Sequence, residues 1–214
     1  MQLKYKMVAL GLLPLLLAVA AVCLVVLEQS QRLGEQQARL LEHSILGSKK
    51  TELRNYVEMG VSAIQPLYGS GRDDEDTKAR VLALLASLNF GSDGYFFVYD
   101  QHGRNLMHPR QPELVGQDLW QLTDGNGLLV IQALLRSASQ GDGFQRYGWQ
   151  KPSSGQMAEK LAYVTQLQRS GWVLGTGLYL DDVDAALAQV RHDVAAGIRT
   201  TLLASAGVAL VAVL

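Results

Sequence analysis

Six residues of this chain combine a polar or charged tip with a bulky body and fall on what read as consecutive strands: Tyr95, His108, Tyr147, Trp149, Lys160 and Tyr163. Tyr147 and Trp149 are two apart, so on an extended chain they share one face. Lys160 is the most telling of the set, because Met157, Ala158, Leu161 and Ala162 around it give an apolar strand little reason to carry a cation. A lysine, a histidine and phenolic hydroxyls around an apolar pocket supply what a small carboxylate needs: a charge partner, oriented donors and aromatic walls that exclude water. Each residue also has a plain structural reading, since tyrosine and tryptophan often plug sheet–helix cores and a strand lysine usually points to water. Lys160 and Tyr163 have opposite strand parity, so they reach one pocket only across a bulge or twist.

Other chemistry is poorly represented. There is no Walker loop, no Gly-x-Ser-x-Gly and no His-Glu-x-x-His, so no catalytic residue, metal or cofactor is expected. The four histidines are scattered without metal-ligand spacing. His43 and His192 lie on helical segments and read as solvated, and His102 sits in a turn. The acidic run Asp73, Asp74, Glu75, Asp76 complements a helix N-terminus and lacks the spaced oxygens and glycine of a calcium loop. A formal net charge of −1 gives no reason to expect nucleic-acid binding.

The elements that would position these residues follow from pattern. Leu33, Leu40, Leu41, Leu46, Leu53, Val57, Ile64 and Leu67 recur at near-heptad spacing and predict one long helix over residues 28–67. Its Gln-rich first half suits a stalk that pairs with a second copy as a homodimer. Pro66 and the run Gly69-Ser70-Gly71 should end it. A second helix is expected over 76–88, strands over 95–100 and 105–108, and a short helix over 127–138. Three strands over 144–150, 157–166 and 172–179 complete the set, and a helix over 181–198 leads out. This order fits an α+β domain with a five-stranded antiparallel sheet and helices on one side.

Two apolar stretches flank that domain. Residues 7–27 run 21 positions without a charge and, at ~1.5 Å per residue, reach across a hydrocarbon core. The stretch exceeds the apolar region of a cleaved signal, and Val22 before Cys23 argues against a lipoprotein signal. Lys4 and Lys6 precede it and Glu28 follows, which places the N-terminus in the cytoplasm and residues 28–198 outside. Residues 199–214 read as a second membrane helix, apolar on every face and truncated by the end of the sequence. The single cysteine, Cys23, falls in the first stretch, so the outer domain has no disulfide.

The ordered blocks Gly94-Tyr95-Phe96-Phe97-Val98-Tyr99-Asp100, Met107-His108-Pro109, Leu114-Val115-Gly116, Tyr147-Gly148-Trp149-Gln150-Lys151-Pro152, Lys160-Leu161-Ala162-Tyr163-Val164 and residues 171–182 resemble the single Cache domains, PAS-like sensors of bacterial histidine kinases and chemoreceptors. The resemblance covers residues 28–196. It implies an extracytoplasmic domain that binds a small organic acid such as acetate, propionate or pyruvate, with Tyr95, His108, Tyr147, Trp149, Lys160 and Tyr163 as its contacts. It also implies a multi-pass protein of the bacterial inner membrane. Ala162 stands where many relatives carry serine, which removes one hydroxyl donor. The block Gly175-Thr176-Gly177 is expected to let the last strand turn tightly. A sensor kinase is the preferred context, with a chemoreceptor or a membrane-anchored binding protein as alternatives.

Overall fold

The computed structural model describes the backbone of residues 2–68 and 74–213, and side chains there except those of 2–13, 15, 16, 19, 68, 182, 205, 206 and 208–213. The element order is α1 (Gln2–Tyr68), α2 (Glu75–Ser87), β1 (Asn89–Phe90), β2 (Gly94–Tyr99), β3 (Asn105–Met107), α3 (Val130–Gln140), β4 (Phe144–Gln150), β5 (Met157–Gln166), β6 (Val173–Tyr179) and α4 (Asp181–Val213). A single 3-10 turn, Pro112–Leu114, interrupts the long loop after β3. The glycine run expected to stop α1, residues 69–71, lies outside the described residues. Among the described residues no helix is long and apolar enough to cross a membrane. Much of both expected spans lies outside the described side chains.

Two compact units form. Met1–Ser44 and Val183–Leu214 make the first, and Ile45–Asp182 the second. In the first unit α1 and α4 pack closely at Gly34, where an added Cβ would meet the Val194 side chain at 2.6 Å. The second unit holds the sheet. Its strands are antiparallel in the order β1-β2-β6-β5-β4, with β3 paired to β2 off that path.

The sheet has six strands rather than five. Asn89–Phe90 adds a two-residue strand against β2, too short for a hydropathy pattern to reveal. Nor do the helices lie on one side. Val57 and Ile64 of α1 with Val81 and Leu85 of α2 cover one face, packing on Phe96, Val98 and Leu174. Val130, Ile131 and Leu134 of α3 cover the other, over Phe97, Tyr99, Ala162 and Val173. With both faces covered, β2 is buried at every position, which explains why its sequence is apolar throughout instead of alternating. At the start of α2, Asp74 accepts from the Thr77 amide at 2.8 Å, a cap worth ~1 kcal/mol.

Candidate ligand-binding site

Strand parity assembles the site on the α3 face of the sheet. Tyr95 and Phe97 on β2, Tyr147 and Trp149 on β4, Lys160 and Ala162 on β5, and Tyr179 on β6 all point there, because residues two apart share a face. The register places Tyr147 and Tyr179 directly opposite Lys160 on its two neighbouring strands. His108, just past β3, brings its ring to 4.9 Å from that of Tyr95 and 6.0 Å from that of Trp149. The group is sealed: Tyr95 is 0%, Lys160 1%, His108 3%, Tyr147 5% and Trp149 8% exposed.

Five of the six expected residues therefore come together. Tyr163 does not. β5 pairs in unbroken register with both neighbours, so no bulge reverses its parity. The Tyr163 ring sits on the opposite face, 4.7 Å from Phe144, with the Arg54 guanidinium 5.5 Å from its centre.

Lys160 is the electrostatic centre. Its ammonium donates to the Tyr95 hydroxyl at 2.7 Å and lies 4.0, 5.3 and 5.4 Å from the ring centres of Tyr95, Phe97 and Tyr179. Among the described residues, no carboxylate forms an ion pair with it. Burial alone pushes its pKa well below the usual lysine range, because a low-dielectric interior disfavours the ammonium. The same burial raises the phenols of Tyr95 and Tyr147, and lifts Tyr179 to about 12.

His108 is held neutral. Burial first, and the Lys160 charge second, lower its pKa to about 3. Its Nδ1 accepts from the Gln111 backbone N–H at 3.0 Å, which assigns the ring proton to Nε2. The Gln111 side chain continues the clasp. Its Oε1 accepts from Trp149 Nε1 at 2.9 Å, and its Nε2 donates to Gln150 Oε1 at 3.3 Å. The loop after β3 is thus fastened across the end of β4. From the other side Asp124 accepts from the Gly148 amide at 3.0 Å, which is the main reason its carboxyl is held below the usual range.

The glycines of β6 do not make a turn. They lie in mid-strand and clear space: a Cβ at Gly175 would meet the Phe97 ring at 2.6 Å, and one at Gly177 would overlap Lys160 Cε. Gly177 lets the lysine stem cross the strand and reach Tyr95. Phe97 and Tyr179 were not among the six expected residues, although their parity with Tyr95 and Gly177 was a usable signal. Gln111, in a loop without periodicity, gave none.

An antiparallel sheet with a sealed, lysine-bearing cluster on the α3 face and with α1 and α2 on the other has the architecture of a PAS-like domain. The chain belongs to the single Cache domain family, with residues 45–193 matching Single Cache domain 2. It is 42% identical over 202 residues to the sensor histidine kinase MctS of Rhizobium johnstonii, covering 94% of this chain and 44% of that one. The chain thus spans less than half the length of that curated relative. A crystal structure of a methyl-accepting chemotaxis protein from Vibrio parahaemolyticus is similar with TM-score 0.67 and 41% identity, over 69% of this chain and 99% of that one. A Cache chemosensory domain solved as the structural basis for carboxylic acid recognition gives TM-score 0.59 and 26% identity, over 64% and 97% of the two chains.

Proposed function

We propose that this chain is the sensing module of a bacterial transmembrane signal transducer and takes a small organic acid whose carboxylate pairs with Lys160. The observation that carries the reading is a buried ammonium whose hydrogen-bond partner is a phenol and not a carboxylate. An isolated buried charge is costly, and an anion brought against it offsets the desolvation. Tyr95, Tyr147 and the Nε2–H of His108 would orient the carboxylate, and Trp149 would wall it off from water. The likeness to a domain that recognises carboxylic acids supports acetate, propionate and pyruvate as the first acids to try.

Because the cluster is sealed, binding requires the Gln111 clasp to open and close again. A ligand shifts such an equilibrium only by its differential affinity for the two states, and a tenfold bias corresponds to ~1.4 kcal/mol. The route outward is short. β6 runs directly into α4, and Lys151 at the end of β4 pairs with Asp181, the first residue of α4, at 2.5 Å. Residues 7–27 and 199–214 are read as the membrane spans, with residues 28–50 pairing two copies. A histidine kinase is favoured as the output by the 42% identity to one; the 41% identity to a chemoreceptor domain favours the second reading.

The test is thermal unfolding of the 214-residue chain in detergent with a panel of short mono- and dicarboxylates. A millimolar acid that raises the midpoint, with its uncharged amide inert, supports the reading. A panel without effect refutes it.

A further inference from the structure

A run of hydrogen bonds through Tyr179 connects the buried cluster to the start of α4. At its inner end the Lys160 ammonium donates to the Tyr95 hydroxyl at 2.7 Å. The Tyr95 hydroxyl donates in turn to that of Tyr179, a bond that adds to the rise burial causes in the Tyr95 pKa and opposes the rise in that of Tyr179. Tyr179 then donates to the Gln150 carbonyl at 2.6 Å. The same peptide unit carries the Lys151 N–H, which donates to Gln156 O at 2.8 Å. A peptide unit is planar, so a hold on each side fixes its orientation and with it the root of the Lys151 side chain.

At the outer end Lys151 closes a latch. Its ammonium lies 2.5 Å from Asp181 and 3.8 Å from Asp93. Asp93, in the β1–β2 turn, also accepts from the Ser153 N–H at 2.7 Å and from the Ser153 hydroxyl at 2.9 Å. The β4–β5 hairpin, the β1–β2 turn and the first residue of α4 are thereby fastened together. The Lys151 and Asp93 side chains are 20% and 16% exposed, so solvent ions screen this cluster less than an open surface pair. Asp181 and Asp182 are the last residues of the sheet-bearing unit, which the chain leaves at Val183.

Each phenol has one proton to donate, whereas a carboxylate offers about four acceptor sites. Tyr179 stands directly opposite Lys160 in the register, its ring centre 5.4 Å from the ammonium. An acid seated on Lys160 thus competes for the protons of Tyr95 and Tyr179 with the acceptors they now serve. We infer that Tyr179 is a two-position switch: its hydroxyl donates either to Gln150 O, which holds the Lys151–Asp181 latch, or to the ligand, which frees it. This rests on the small-acid reading and adds the element through which binding acts on α4. Occupation of the site and closure of the latch then oppose each other, and linkage makes the opposing factor the same in both directions.

Breaking the latch from outside should therefore tighten acid binding, even where the change removes a positive charge. Calorimetric titration of the 214-residue chain in detergent tests this in Lys151→Gln, Asp181→Asn and the double variant, with the short carboxylate that most raises the wild-type melting midpoint. Each single variant should bind at least about threefold tighter than the wild type, and the double variant should match the singles within about twofold. Charge alone predicts a split, with Lys151→Gln weakening an anion and Asp181→Asn strengthening it. A cooperative melt shows that each variant folds, and Lys151→Met replaces the glutamine variant if that one does not. Weaker binding by Lys151→Gln, or unchanged affinity in either single variant, overturns the latch while the carboxylate reading stands. A wild type that binds no acid overturns the carboxylate reading and the switch with it.

Discussion

Lys160 and Tyr95 are joined by a 2.7 Å hydrogen bond across the buried face of the sheet, and the same ammonium lies 4.0 Å from the centre of the tyrosine ring. One aromatic residue thus serves the cation twice, as acceptor and as π-face. Neither contact replaces the hydration that an ammonium loses on burial. Burying a lysine here costs the protein stability, a cost that the proposed carboxylate site would account for.

Lys160→Met should therefore separate stability from binding. The thioether fills the stem's volume without a charge, so the unliganded variant should melt at a higher temperature, by roughly 1–3 kcal/mol of stability. Calorimetry and chemical denaturation on the same preparation check both halves.

Acid should weaken the fold through His108. Its pKa is about 3 in the fold against 6.5 when unperturbed, so between these values the unfolded chain binds the proton and the folded chain does not. Stability is full above pH 6.5 and declines as pH falls toward 3. His108→Gln should flatten that decline by up to about 1.4 kcal/mol per pH unit. Lys160, also depressed, acts in the same direction as pH falls below its unperturbed 10.5, and Asp124 and Asp181, whose folded values are lowered, lose their contribution only below their unperturbed 3.8. Denaturation midpoints of His108→Gln set against the wild type between pH 4.5 and 6.5 isolate the histidine.

Gly177→Ala should damage the site from the neighbouring strand. The new methyl would take the path of the Lys160 stem and lie 2.9 Å from Leu161 O, so the lysine must leave Tyr95 or the strands must part. Overpacking of this kind costs about 1–3 kcal/mol. Affinity for the acid should fall at least about tenfold, the loss expected when a charge partner shifts by an ångström or more.

Tyr163→Phe should leave affinity unchanged within about twofold, because its hydroxyl is on the far face of β5. Tyr163→Ala should instead lower stability by stripping the contact with Phe144. Titration of the Phe variant distinguishes this placement from a role in the pocket.

Much of this arrangement could be read from residue order alone, and its gaps have physical causes. Tyr147, Trp149 and Lys160 sit on long strands whose period-2 pattern fixes which way side chains point, and the same parity marked Tyr163 as doubtful. β1 is two residues long and carries no period. The helices on both faces were hidden because a uniformly apolar strand such as Gly94–Tyr99 looks the same whatever covers it. The β6 glycines were misread because sequence shows a missing side chain, not the neighbour that occupies its space. Gln111 acts through tertiary contacts that no local pattern encodes.

The central claim is that a ligand carboxylate pairs with Lys160, and calorimetry of proton linkage addresses it most directly. The acid that most stabilises the chain should be titrated at pH 7 to 9 in two buffers of different ionisation enthalpy. Because burial depresses the free lysine, pairing should draw a proton onto it, with uptake growing and affinity weakening as pH rises. Lys160→Met should lose both the uptake and at least about a hundredfold in affinity. Binding of equal strength in the variant, or binding in the wild type without proton uptake at pH 9, would contradict the account.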